Sequence, residues 1–275
     1  MSEETVVPSK EQLAERAAVY DRFHEACDVR GVFLRLRAEA WGEEFPEEVD
    51  PSSSCTWSVL GEMVGRLRLA PGGLLVDLGC GRGGTGLWLA RALNARLLGL
   101  DVSARALEIA RRRAVDFGAA DRADFRLVTF ERTGLPDGSV DGLVSMDALP
   151  FAFDRDAALA EIRRVLRPGA RAVFTAGRKL PGHPSYDTAA PTWPERIARA
   201  GLEVEAVTER PEESGLWERL YAGLTAHEAE VRAELSEAGA EILYDEVRSA
   251  PSMIRFRAPA LYAVRAPDAP DAAAT

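Results

Sequence analysis

The stretch LLVDLGCGRGGTGLWLA, residues 74–90, decides the fold. Leu74, Leu75 and Val76 open an apolar run of strand length, Asp77 stands near its end, and Gly79, Gly81, Gly83, Gly84 and Gly86 crowd the passage into a helix-length apolar segment. A buried strand that turns through glycines straight into a helix begins a βαβ unit, and glycine there admits positive φ and lets a ligand approach the backbone. Gly79, Gly81 and Gly84 also satisfy G-x-G-x-x-G, and Asp101 lies 20 residues beyond Gly81, so a dinucleotide is one candidate ligand. Asp77 argues against it: a carboxylate a few Å from a pyrophosphate costs up to about 4 kcal/mol at an effective dielectric near 20. A cationic ligand is attracted instead.

Outward from this stretch, short apolar runs alternate with amphipathic segments of helix length. Strands are expected at 74–78, 96–100, 125–129, 142–145 and 172–175, with helices at 84–93, 104–117 and 155–166. Ser103 and Asp154 cap the second and third of these helices, and Pro168-Gly169 closes the third. Thr192 with Glu195 is a capping box for a helix to about Ala200; LEVEAVTE, 202–209, alternates as a half-exposed strand, and 260–265 is a last apolar strand. The fold class is therefore α/β, a doubly wound, mostly parallel seven-stranded sheet of Rossmann-like type. Ser9 with Gln12 caps a first helix to about Cys27; a second spans 31–41, and a third, capped by Ser54 or Thr56, runs to about Arg68. Residues 1–70 thus read as an N-terminal helical lid, 71–211 as the core and 212–250 as a helical cap with Thr225 and Glu228 as a further capping box. Residues 251–267 hold the final strand, and 268–275 form a low-complexity, disordered tail.

The formal net charge is -10, and Arg111-Arg112-Arg113, the densest basic run, would splay around a helix axis, which disfavours a nucleic-acid partner. No run of about 18 apolar residues could span a membrane, and MSEETVVPSK has no export signal, so the expected place is the cytoplasm. Cys27, Cys55 and Cys80 are odd in number and lack metal-ligand spacing, as reduced thiols do; no metal is expected.

VDLGCGRGG, 76–84, together with LLGLD, 97–101, LPDGSVDGLVSMDAL, 135–149, and EIRRVLRPGARAVFT, 161–175, is similar to the class I S-adenosylmethionine-dependent methyltransferases over roughly residues 72–176. The resemblance implies S-adenosyl-L-methionine as cofactor. Asp77 would order the loop and, directly or through water, the methionine amino group, while Gly79 and Gly81, flanking Cys80, meet the ligand with their backbone. Asp101 would bind the ribose diol and Val102 lie against adenine. Where many relatives place an adenine-binding acid, Thr129 stands here, followed by Phe130; Ser145 ends the fourth strand. Arg82 reads as a solvated loop charge.

Methyl transfer needs alignment, exclusion of water and, for a hydroxyl acceptor, removal of a proton. Asp147 in SMDALPF would face the methyl group, with a loop-shaping role as the alternative. His183 in KLPGHPSYD is the second catalytic candidate, against a surface-loop histidine, with His24 and His227 weaker. Tyr20, Phe23, Trp41, Trp57, Phe151, Phe153, Trp193, Trp217 and Tyr221 gather in segments around the expected mouth and suit an aromatic or polycyclic small-molecule acceptor of secondary metabolism, such as antibiotic biosynthesis. The competing functions are a non-methylating S-adenosylmethionine-binding protein or cyclase on the same fold, and an NAD-dependent dehydrogenase. A macromolecular methyltransferase fits the charge and the cap less well. A homodimer is admitted.

Overall fold

The computed structural model describes residues 9–27 and 31–269. Its seven strands are β1 (Leu74–Leu78), β2 (Arg96–Asp101), β3 (Ala123–Leu127), β4 (Val140–Ser145), β5 (Leu166–Lys179), β6 (Glu203–Glu209) and β7 (Arg257–Arg265), ordered β3-β2-β1-β4-β5-β7-β6. The pairs among β1 to β5 are parallel, and β7 runs antiparallel between β5 and β6. The order reverses at β1, between β2 and β4, and doubly wound sheets bind ligands in the crevice at such a point, beyond the carboxyl ends of the strands.

Strand periodicity assigns each side chain its face. Leu75 and Leu97 point toward the core beneath the helices α3 (Trp57–Leu67), α4 (Gly84–Ala92) and α5 (Ala104–Asp116); Val76, Leu78, Leu98 and Leu100 point into the opposite core, which holds the helix α6 (Arg155–Val165) and the helix α7 (Trp193–Arg199). Asp77 and Asp101 share the face of Leu75 and Leu97, so both carboxylates fall on the side where α4 begins. The caps read from sequence are made: Thr56 accepts from Val59 N, Ser103 from Ala106 N, Asp154 from Asp156 N and Ala157 N, and the boxes of Ser9 with Gln12 and Thr192 with Glu195 close reciprocally.

Three further helices and a short turn, α8 (Glu212–Ala226), α9 (Glu228–Glu234), α10 (Glu237–Ser249) and α11 (Pro251–Ile254), build a third core with α2 (Val32–Trp41), where Phe33, Leu36 and Trp41 meet Leu220, Tyr221 and Leu224. The helix α1 (Lys10–Cys27) packs on α5 and α10. Within 1–70, α3 stands apart, because Leu60, Met63 and Leu67 are buried in the sheet's own core.

Four expectations are corrected. β3 ends at Leu127 rather than Thr129: it is an edge strand with only Phe125 fully inside, so the run FRLVT overstates where pairing continues. Thr225 caps nothing; it lies in the last turn of α8 and donates to Tyr221 O. Pro168-Gly169 falls within β5, since α6 passes into strand at Leu166. β5 and β7 are longer than their apolar runs, because their polar ends pair with each other. Of the expected tail, residues 270–275 lie outside those described.

Candidate active site

One cavity of about 1060 Å³ opens at the carboxyl ends of β1, β2, β4 and β5. Asp77 lies at one end of it, buried under the first turn of α4, where a Cβ on Gly86 would come within 2.5 Å of its Oδ2. That oxygen is buried without a hydrogen-bond partner, and burial first, then the charge of Asp101, push the carboxyl up to about 7. Gly79 turns the chain at φ +78, where a side chain would also collide with Ala148 and Phe130. Asp101 accepts from Gly81 N through Oδ2 (2.8 Å) and from Ser103 N through Oδ1 (2.9 Å). Each carboxylate oxygen keeps a further lone pair for a diol. Burial raises its pKa, against the pull of these backbone N–H groups.

The segment between α2 and α3 straps this end. Arg82 is no solvated loop charge: it is buried against Asp50, donating to Oδ2 and to the backbone carbonyl, each at 2.9 Å. Arg113 of α5 donates to Val49 O (2.7 Å), and Gly84 passes so close that a Cβ would lie 2.0 Å from the same carbonyl. From above, α1 closes the loop. His24 stands over Gly81, buried, with Nδ1 unpartnered, and burial, then Arg82, hold the imidazole down at about 3, so it is neutral. Asp21 on the same helix accepts from Ser103 Oγ (2.6 Å) and Arg105 N (3.1 Å), which docks α1 on the start of α5.

The other end is acidic and aromatic. Asp147 follows β4 at φ +51, with Oδ1 accepting from Thr175 Oγ1 (2.7 Å) and Oδ2 from Ser54 N (2.6 Å). Glu213 of α8 joins it in the lining and binds Arg210 through Oε2 at 2.8 Å. Burial, followed by the charge of Asp147, pushes Glu213 up to about 7 against the pull of Arg210. Arg210 in turn holds Ser54 through Oγ and the carbonyl, so strap, acids and cap meet here.

Of the residues singled out by sequence, Asp77, Gly79, Cys80, Gly81, Asp101, Val102, Thr129, Phe130 and Asp147 all line the cavity. Two do not. Ser145 is buried and donates to Leu78 O (2.7 Å), tying β4 to β1. His183 is held in its own loop, its Nδ1 accepting from Ser185 N (3.1 Å), and does not line the cavity. Thr129, beyond β3, forms an isolated bridge with Arg132. Tyr20, Phe23, Phe151, Phe153, Trp193, Trp217 and Tyr221 reach the cavity wall, whereas Trp41 packs edge-on against Trp217 and Trp57 against Trp88. Sequence reading missed Glu213 and the burial of His24. Glu213 stands in the plain acidic start of a helix, and only tertiary contact distinguishes it from Glu212.

The loop end fits the cofactor that the resemblance implies. Two buried, unpartnered polar atoms, Asp77 Oδ2 and His24 Nδ1, flank a backbone turn in which Cβ atoms are excluded, and Asp101 presents a carboxylate beside it. At about 1060 Å³ the cavity stands at the upper end of ordinary ligand pockets, which run from about 300 to 1,000 Å³.

Comparison with known proteins agrees. Residues 76–174 match the family described as "Methyltransferase domain". The chain is 34% identical over 126 residues to methyltransferase GfsG of Streptomyces halstedii, covering 46% of this chain and 45% of that protein. It is 28% identical over 180 residues to 27-O-demethylrifamycin SV methyltransferase of Amycolatopsis mediterranei, covering 64% and 65%. The match to the first curated relative therefore spans less than half of that protein's length. Among solved structures, the [4+2]-cyclase SpnF superposes with a TM-score of 0.69 at 21% identity, covering 96% of this chain and 98% of that one, a likeness of fold. With strand order, glycine loop and paired acids in agreement, residues 76–174 carry a methyltransferase domain on a sheet of the class I S-adenosylmethionine-dependent type.

Proposed function

We propose that this protein transfers a methyl group from S-adenosylmethionine to an O, N or C atom of a small aromatic or polycyclic metabolite, with Glu213 receiving the proton that a hydroxyl or amine acceptor must lose. The observation that carries the reading is the single cavity that joins Asp77, Asp101 and the glycine loop to an acid pair and an aromatic wall. When bound, the cofactor supplies a methyl group made electrophilic by the sulfonium that carries it. The chain's own work is then placement. Asp101 holds the ribose end, and burial, together with the Asp147 carboxylate that Thr175 and Ser54 fix beside it, makes Glu213 a stronger base than an exposed carboxylate. Tyr20 and Phe23 from α1 and Trp217 and Tyr221 from α8 cover the cavity with apolar surface that excludes water.

The test is calorimetric titration with S-adenosylmethionine and S-adenosylhomocysteine, then incubation with hydroxylated aromatic acceptors and mass detection of a methylated product. Binding with turnover is expected; binding without turnover on any acceptor would leave a cofactor-binding protein, and no binding would sink the reading.

The loop end adds a pH signature. Folding raises Asp77 from 3.8 to about 7, so its contribution to stability is complete below about pH 3.8 and is lost as pH rises through about 7. A cation beside the carboxylate relieves this loss. The rise in Tm produced by saturating S-adenosylmethionine is accordingly expected to be larger at pH 8 than at pH 6, with the difference reduced in Asp77→Asn. Equal shifts at both pH values would show that the ligand's charge does not reach Asp77.

A further inference from the structure

β5 and β7 outrun the sheet. The pairing of β4 with β5 ends at Ser145 with Phe174, and that of β6 with β7 ends at Glu209 with Ala260, but β5 and β7 stay paired to Lys179 opposite Arg257. The last residues of the two strands form a two-stranded ribbon over the cavity, and Arg178, Lys179 and Arg257 all line it, as does Arg155 from α6. Lys179 and Arg257 face each other directly in the antiparallel register, which puts both side chains on one face. Like charges so placed weaken a ribbon.

No acid among the described residues closes an ion pair with Arg178, Lys179 or Arg257, although the carboxyl of Glu213 is drawn down by the charge of Arg257 as well as by Arg210. The acids at this end are engaged elsewhere: Glu213 with Arg210 (2.8 Å), Glu246 with the Tyr221 hydroxyl (2.7 Å), Asp156 with Arg196 (2.5 Å) and Asp187 with Ala189 N (2.9 Å). The field is felt by neighbours, since His183 is held low by burial, Lys179 and Arg257, and Arg155 by burial, Arg196 and Arg257. Lys179 is half-buried and Arg257 exposed at the cavity mouth, and in a chain of net charge -10 two cations set face to face on its wall are a local arrangement rather than a consequence of composition.

We propose that the ribbon of β5 and β7 is an oxyanion subsite, in which Lys179 and Arg257 bind a carboxylate or phosphate group carried by the methyl acceptor. The proposal rests on the methyl-transfer reading for the word acceptor, and on the ribbon alone for the anion. Lys179 supplies a point charge and Arg257 a planar fork that matches either oxyanion in bidentate fashion. Bound there, the anionic group anchors the acceptor at the ribbon while its remainder extends toward the acid pair and the aromatic wall.

The experiment is calorimetric titration of the full chain with inorganic pyrophosphate and, separately, with benzoate, each with and without saturating S-adenosylhomocysteine. The wild type is expected to bind at least one of the two anions; pyrophosphate alone points to a phosphorylated acceptor and benzoate alone to a carboxylic one. In the double variant Lys179→Gln/Arg257→Gln the anion affinity is expected to fall at least tenfold with the affinity for S-adenosylhomocysteine unchanged. With the mutual repulsion gone, the unliganded variant is expected to melt about 2 °C higher. Failure of both anions to bind the wild type, or equal binding by the variant, overturns the subsite. Failure of S-adenosylhomocysteine to bind overturns the methyl-transfer reading instead, and leaves the subsite to be judged by the anions alone.

Discussion

Glu213→Gln is expected to lower kcat for a hydroxyl or amine acceptor by about 10²–10⁴-fold, the range a positioned general base contributes, while leaving the affinity for S-adenosylhomocysteine unchanged. Glutamine keeps the shape and can still meet Arg210, so the substitution removes the titrating group with little change to the packing of α8. The pH profile makes the test specific. Glu213 is pushed up to about 7, so it acts as a base only once ionised, and kcat at saturating cofactor should rise through about pH 7 in the wild type and flatten in the variant. Saturation matters because Asp77 also titrates near 7 in the free protein, and a bound cation draws it lower. A full-sized rising limb in Glu213→Gln would assign the proton to another group. Asp147, which Thr175 and Ser54 hold in place, is then the next to test.

Asp101→Ala is expected to weaken S-adenosylhomocysteine binding by about 10²–10⁴-fold, measured calorimetrically. Hydrogen bonds to a charged group are worth about 1.5–3 kcal/mol each, and a ribose diol offers two. The carboxylate also organises the loop, through Gly81 N at 2.8 Å and Ser103 N at 2.9 Å, so its loss frees two backbone donors at the same moment. Asp101→Asn separates the contributions: it preserves an acceptor for part of this network but not the charge, and its affinity should fall between those of alanine and wild type. An affinity within threefold of wild type for the alanine variant would remove Asp101 from the cofactor site.

How much of this was legible in the sequence depends on whether the chain itself or its folding partners fix a residue's role. Asp77 and Asp101 could be placed because a strand's two-residue period and a glycine turn determine where they sit, whatever packs around them. The caps Thr56, Ser103 and Asp154 were likewise local matters. Arg82 could not be read, because its burial depends on Asp50 arriving from 32 residues away. His24 and Glu213 have the same origin: one is an ordinary polar position on an amphipathic helix and the other one of two adjacent glutamates, and only docking makes the first neutral and the second basic. β3 was misplaced by two residues because an edge strand with a single buried side chain leaves little pattern. The ribbon escaped because its residues are charged, and charge near a strand end reads as solvent. His183, offered on the rarity of histidine alone, stands off the cavity wall.

The strap between α2 and α3 has a consequence for the tolerance of this protein to change. Loops ordinarily accept insertions because little depends on their length. Here Val49 is clasped by Arg113, Asp50 by Arg82, and Ser54 by both Asp147 and Arg210, so the few residues from Val49 to Ser54 bridge the glycine loop and the acid pair. They act as a spacer, fixing how far Glu213 and Asp147 stand from the glycine loop in the way a fixed linker fixes the gap between two jaws. A chain one residue longer at this point would fold around the same sheet and hold both halves of its site, yet hold them at the wrong separation.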